Sequence, residues 1–134
     1  MYKIIANNSD KKVLVVDDYE SVRKMVGRML SMLWYECIYA EDGIEASIIY
    51  VIKRDNISVV LTDFNMPGAN GLDLIKALRH DLESDVTIIG MSGKADNRQT
   101  MLDAGADYFI DKPFTYSEVT KVFEELGERV SKEE

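Results

Sequence analysis

Five polar residues stand where an apolar run has just ended: Asp17 and Asp18 after Val13–Val16, Asp63 after Ile57–Thr62, Ser92 after Val86–Met91, and Lys112 after Tyr108–Asp111. Three carboxylates drawn to one place repel each other, each pair by on the order of 4 kcal/mol at 4 Å and an effective dielectric of 20. Something positive must therefore sit among them. A set of oxygen donors alone suits Mg²⁺ (or Mn²⁺), which takes one or two carboxylates, keeps several waters and completes its shell with a phosphate oxygen. Lys112, a compact charge on a flexible stem, can neutralise the acids from the opposite side when no phosphate is bound. A nucleophilic carboxylate beside Mg²⁺ and a lysine is equipment for phosphoryl transfer, where positioning and charge neutralisation do nearly all the catalysis.

Those residues need elements that bring them together. Lys12–Asp17, Tyr35–Ala40, Ile57–Asp63, Val86–Ser92 and Tyr108–Asp111 read as strands. Val13–Val16 and Val59–Leu61 are continuously apolar, as parallel strands covered on both faces require. Three helices follow from apolar residues at helical spacing: Val22, Met25, Val26, Met29, Leu30 and Leu33; Leu72, Ile75, Leu78 and Leu82; and Val119, Val122, Phe123, Leu126 and Val130. Thr115 with Glu118 fits a capping box opening the last helix, and Gly105 suits the left-handed residue closing the helix before it. Over Ile44–Arg54 the apolar residues Ile44, Ile48, Ile49, Val51 and Ile52 form too broad a stripe to define one face. The alternation of elements assigns that segment as helix, because parallel strands need a crossover. The fold class is α/β: an open parallel sheet of five strands with five helices. The carboxyl ends of its strands lie together, and ligands of such sheets bind there.

At 134 residues the chain is sized for one domain, spanning 1–134, which buries about two thirds of its unfolded surface. Residues 1–10, with Asn7, Asn8, Ser9 and Asp10, read as a flexible arm and residues 131–134 as a frayed tail. A net charge of −8 and a pI near 4.7 repel nucleic-acid phosphates and anionic headgroups, so neither direct nucleic-acid nor membrane binding is expected. No eighteen apolar residues run together and no signal peptide opens the chain, which makes the cytoplasm the expected location. The lone cysteine, Cys37, reads as a small core residue.

The sequence resembles the receiver (CheY-like) family of response regulators from about Lys12 to Val130. The resemblance is carried by Val15-Val16-Asp17-Asp18, by Asp63-Phe64-Asn65-Met66-Pro67 with Gly71, by Met91-Ser92-Gly93, by Ala104-Gly105-Ala106-Asp107 and by Lys112-Pro113-Phe114. It implies a flavodoxin-like, doubly wound sheet of strand order 2-1-3-4-5. It also implies that Asp63 is the phosphoacceptor, Asp18 a direct metal ligand, Asp17 a ligand through water, and the Asn65 backbone carbonyl the remaining protein ligand. Lys112, Ser92 and Gly93 would contact the phosphoryl group. Ser92 and Phe109 would form the switch, with Phe109 turning inward from a more exposed position as the Ser92 hydroxyl moves toward phosphate. Asn65 and Lys94 would tune phosphoryl lifetime, and a cis Lys112–Pro113 bond would aim Lys112 into the site. Ser92 where the family more often has Thr, and Gly93 where it more often has Ala, bear on the strength of switching. The implied partners are a sensor histidine kinase or histidine phosphotransfer protein upstream. Downstream lies a target protein or output domain, met through the face built from the fourth helix, fifth strand and fifth helix.

Each residue also has a plainer reading. Asp17 and Asp18 could be helix N-terminal acids, Asp63 and Ser92 turn residues, Lys112 a solvated lysine and Phe109 core. The only histidine, His80, reads as a solvated helix residue. Singly these suffice; jointly they do not explain why all the polar residues fall at strand ends. A haloacid-dehalogenase-type phosphatase shares the aspartyl-phosphate chemistry but wants a second acid two residues after its nucleophile, where this chain has Asn65. A degenerate, purely protein-binding receiver is disfavoured by the intact acids, hydroxyl and lysine.

Overall fold

The computed structural model describes residues 11–133, with side chains described through Gly127. The arm expected over residues 1–10, Glu134 and the side chain of Val130 lie outside that range. In chain order the elements are β1 (Lys12–Val16), α1 (Glu20–Met32), β2 (Cys37–Ala40), α2 (Gly43–Lys53), a 3₁₀ turn (Arg54–Asn56) and β3 (Ile57–Asp63). There follow α3 (Gly71–Lys76), running on through a wider π turn (Ala77–Asp81), then β4 (Thr87–Ser92), α4 (Asp96–Ala104), β5 (Tyr108–Asp111) and α5 (Tyr116–Glu133). Helical backbone reaching Glu133 extends past the point where a frayed tail was expected to begin.

All strand pairs are parallel, in the order β2-β1-β3-β4-β5. Because successive strand residues point to opposite faces, each strand feeds two cores. Val13, Val15, Val59, Leu61, Ile89, Met91 and Ile110 face one way, where Val26 and Leu30 of α1 and Val119, Phe123 and Leu126 of α5 cover them. Leu14, Val16, Val60, Ile88 and Phe109 face the other way, against Ala46 and Tyr50 of α2, Leu74 and Ile75 of α3 and Met101 of α4. Burial on both sides explains the unbroken apolar runs of β1 and β3.

Local chemistry sets the boundaries. Tyr35, expected in the second strand, lies just before β2; Trp34 at φ 73° turns the chain, and the buried Tyr35 ring packs at 5.0 Å on Phe123. The Thr115 backbone N–H donates to Glu118 (3.0 Å) and the Glu118 N–H donates to Thr115 Oγ1 (3.2 Å), so the capping box of α5 forms. Gly105 ends α4 at φ 127°, a conformation that disfavours any side chain. In α2, Ala46 and Tyr50 are buried while Ile44, Ile48, Val51 and Ile52 are exposed, which is why its apolar stripe defines no single face.

Candidate functional site

Strand order reverses on either side of β1, so the carboxyl ends of β1 and β3 open onto a crevice. Asp17 and Asp18 follow β1 directly, and Asp63 is the last residue of β3. Carboxylate oxygens of all three lie within 4.8 Å of one another. Asp17 is fully buried and Asp63 is 5% exposed, whereas Asp18 is half-buried. Ser92 ends β4, and Lys112 follows β5 with its backbone N–H donating to the Ser92 carbonyl (2.8 Å). The expected convergence of strand ends is therefore the arrangement observed.

The loop after Asp63 is tied down twice. Phe64 N–H donates to Met91 O (3.0 Å), and Gly71 N–H donates to Phe64 O (2.9 Å). Gly71 must be glycine, because a Cβ there would collide with the Asp63 backbone carbonyl. These bonds seat the Asp63 end of β3.

Lys112 Nζ donates to Asp17 Oδ2 (2.6 Å) and to Asp63 Oδ1 (3.1 Å), bridging the two most buried acids as its charge alone suggested. Burial lifts the Asp63 carboxyl above its ordinary pKa; Lys112 pulls it down, and neighbouring Asp17 pushes it up again. Burial also opposes the charge on Lys112, but the Asp17 hydrogen bond and the charges of Asp63 and Asp17 outweigh it, so its pKa is raised. The Lys112–Pro113 bond is cis.

Both Asp17 oxygens are engaged, Oδ1 accepting the Tyr19 N–H at 2.9 Å and Oδ2 accepting Lys112. Asp18 differs: its Oδ1 is buried with no hydrogen-bond partner. A desolvated anionic oxygen without a donor is costly unless a cation meets it. The donor set thus fits a hard divalent ion, with Asp18 offering the free oxygen. Asp18, Asp63, Asn65, Gly93 and Lys112 border an open cleft of about 520 Å³ that could admit a phosphoryl group.

The family model described as "Response regulator receiver domain" matches residues 13–124. The chain belongs to this family. This receiver is 33% identical over 132 residues to the sensor histidine kinase RcsC of Escherichia coli strain K12, covering 97% of this chain and 14% of that one. It is 36% identical over 112 residues to the phosphate regulon transcriptional regulatory protein PhoB of Pseudomonas aeruginosa, covering 81% of this chain and 48% of that one. The receiver thus spans about half of PhoB or less than a fifth of RcsC. Among solved structures, Vibrio cholerae chemotaxis protein CheY4 aligns with a TM-score of 0.77 at 30% identity, over 86% of this chain and 97% of that one. This receiver is accordingly a module of two-component signalling with the flavodoxin-like fold. No described helix is long and apolar enough to cross a membrane.

Two expectations for the receiver's switch need correction or addition. Phe109 is not in an exposed position: it is 8% exposed within the core, with the Arg98 guanidinium 5.0 Å over its ring. Arg98 covers the ring from α4, so an inward turn is not available from this conformation. Ser92 Oγ is buried and accepts two hydrogen bonds, from Lys94 N–H (3.1 Å) and from Asn97 Nδ2 (2.8 Å). Lys94 meets the site through that backbone donor. The partnerships of Asn97 and Arg98 had no sequence signal, since α4 has only a weakly apolar face. Burial pushes the Cys37 thiol up to about 11, consistent with an unreactive packing role.

Proposed function

We propose that Asp63 is the phosphoacceptor of this receiver, with Mg²⁺ (or Mn²⁺) held by Asp18 and Asp63 directly, by Asp17 through water and by the Asn65 backbone carbonyl. The observation that carries the reading is the unpartnered, buried Asp18 Oδ1 within the acid group that contains Asp63. The ion would supply charge neutralisation for the phosphoryl oxygens, and its residues do the rest. Asp63 presents a carboxylate oxygen to the phosphorus of a phosphohistidine. The new O–P bond forms as the P–N bond breaks, the electron pair leaves on the imidazole nitrogen, and that nitrogen takes a proton from solvent. Lys112, already placed between Asp17 and Asp63, holds the phosphoryl charge; Ser92 and Gly93 contact it from the end of β4.

The donor is a sensor histidine kinase or a histidine phosphotransfer protein in the cytoplasm. The protein is a signalling domain whose only catalysis is its own phosphorylation and dephosphorylation, and Asn65 and Lys94 set the lifetime of the product. Output passes through the α4-β5-α5 face to a downstream protein or output domain, since Ser92 is bonded to α4 through Asn97 and Phe109 of β5 is covered by Arg98 of α4.

Intact-mass measurement after acetyl phosphate treatment tests the assignment. One phosphoryl group should add to the wild-type protein with Mg²⁺ present. None should add to Asp63→Asn or after chelation. An equal gain in either control overturns the reading.

A further inference from the structure

The Asp17–Asp18 peptide stands where β1 gives way to α1, and every polar atom of Asp17 is held. Its N–H donates to the carbonyl of Ala40, the last residue of β2 (3.1 Å), while Oδ1 accepts the Tyr19 N–H (2.9 Å) and Oδ2 accepts Lys112 Nζ (2.6 Å). The Asp17 carbonyl lies beyond the last β1–β2 pair, Val16 with Ala40, and takes its hydrogen bond from a side chain. Arg23 of α1 donates to it from one terminal nitrogen at 2.8 Å. With its side chain only 13% exposed, a guanidinium beside three acids would ordinarily neutralise one of them. Among the described residues its ion pair, at 3.7 Å, is with Glu41 in the turn after β2, and not with Asp17, Asp18 or Asp63.

We propose, resting on Asp18 as a direct ligand of Mg²⁺, that Arg23 is a positioning residue for the ion: its grip on the Asp17 carbonyl fixes the plane of the Asp17–Asp18 peptide and so aims the Asp18 carboxylate. Asp17 needs no such help, since both of its carboxylate oxygens are bonded. Asp18 does. Its buried Oδ1 has no hydrogen-bond partner to hold it, which leaves its direction to the backbone that carries it. The carbonyl that Arg23 holds and the nitrogen of Asp18 share one rigid peptide plane, so a rotation of that plane swings the Asp18 side chain with it. Mg²⁺ tolerates little departure from octahedral geometry, and the groups that orient its ligands matter nearly as much as the ligands. Water could satisfy the same carbonyl but is anchored to nothing, whereas Arg23 is rooted in α1, its own N–H bonded to Tyr19 O at 3.1 Å. Charge and position act in opposite directions here. A guanidinium near the acids repels a divalent cation, so by charge alone its removal tightens Mg²⁺ binding. Acting by position, its removal weakens that binding.

Mg²⁺ titrations of the full chain, followed through the backbone NMR signals of Asp17, Asp18 and Asp63, separate the two. Arg23→Met keeps an apolar stem in place and removes both the charge and the donor; it should bind Mg²⁺ roughly tenfold more weakly than wild type. Arg23→Lys keeps the charge and a donor for the same carbonyl, and should fall between them. Charge alone gives the reverse order, with Arg23→Met the tightest. Before any Mg²⁺ is added, the Asp17 carbonyl and Asp18 amide signals of Arg23→Met should already differ from wild type while those of β4 stay in place, which marks a folded protein with a local disturbance. Equal or tighter Mg²⁺ binding by Arg23→Met, or unmoved Asp17 and Asp18 signals, overturns the proposal. Asp18→Asn tests the metal reading itself and should bind Mg²⁺ more weakly than wild type. A wild type that takes up no Mg²⁺, or an Asp18→Asn protein that binds it equally well, brings down that reading and this one together; weakening in Asp18→Asn without weakening in Arg23→Met brings down only the role of Arg23.

Discussion

Both ends of the sheet carry ionic groups, and they treat them differently. At the amino end Arg79 donates from Nε to Gly105 O (3.0 Å), from one terminal nitrogen to Ser84 O (2.9 Å) and Val86 O (2.7 Å), and from the other to Asp107 Oδ2 (3.0 Å). Asp107 Oδ2 in turn accepts the Ile88 N–H at 2.9 Å. The planar guanidinium fork ties the end of the third helical segment to the starts of β4 and β5, and its charge meets one acid. At the carboxyl end three acids share one lysine, and a buried Asp18 oxygen has no donor. A satisfied network fixes the fold. An unsatisfied one, kept in a cleft, is poised for a ligand that supplies the missing charge.

The largest expected effect lies at the satisfied end. Arg79→Ala strands three part-buried backbone carbonyls, and losing these bonds costs about 3 kcal/mol. The melting temperature should fall by roughly 10 °C. Arg79→Lys should recover little of it, because a point charge cannot reach four acceptors in a fork. A loss of only a degree or two would mean that the amino end is held by its apolar packing alone.

At the unsatisfied end the sign reverses. Asp63→Asn removes a charge that burial penalises while Lys112 keeps Asp17, so the protein should gain about 1 kcal/mol and a few degrees at neutral pH. The raised pKa of Asp63 means that the native state holds this proton more tightly than the unfolded chain does. Its contribution to stability is fully present below the unfolded value near 3.9 and is lost as pH rises through the folded value. The advantage of Asp63→Asn should therefore vanish below about pH 4 and grow above it. Lys112, also raised, contributes stability below its unfolded value near 10.4 and loses it as pH rises through its folded value. Melts of both proteins across pH check this, and parallel curves would show that burial does not penalise the Asp63 charge. Added Mg²⁺ should raise the wild-type melt more than that of Asp63→Asn.

What the sequence discloses follows from what burial does to patterns. Val13–Val16 and Val59–Leu61 announce central strands because both faces are covered, and the position of Asp17, Asp63 and Lys112 at run ends announces a site because parallel strands end together. The Thr115–Glu118 box and Gly105 are legible since both depend on contacts within a few residues. The π turn over Ala77–Asp81 is not, because one widened turn leaves Leu78 and Leu82 at spacings that an ordinary helix also allows. Arg79 and Asn97 are equally silent. Each is one polar residue on a helix, and its role depends on acceptors that only the folded chain brings near. The cover over Phe109 is illegible for the same reason, since it comes from Arg98 of another element.

The smallest expected change in stability, at Asn97, carries the most information about how the unsatisfied end is held before phosphorylation. Ser92 Oγ has two acceptor positions and one proton. Lys94 N–H and Asn97 Nδ2 fill both acceptor positions, so the proton is the part of this buried hydroxyl left for a phosphoryl oxygen. Moving the hydroxyl toward the cleft stretches the Asn97 bond, which runs from the end of β4 to the first turn of α4 and so opposes the movement. Asn97→Ala removes that restraint and leaves the Lys94 bond in place. It should cost no more than about 0.5 kcal/mol of stability, since Asn97 is half-buried and one acceptor position stays filled. The same release should lower, by roughly threefold, the concentration of beryllofluoride needed with Mg²⁺ for half-maximal change in the NMR signals of Phe109 and α4. Ser92→Ala, lacking the hydroxyl, should bind the mimic and shift those signals little with or without Asn97. If Asn97→Ala instead demands more beryllofluoride, the amide aligns the hydroxyl for capture and does not restrain it.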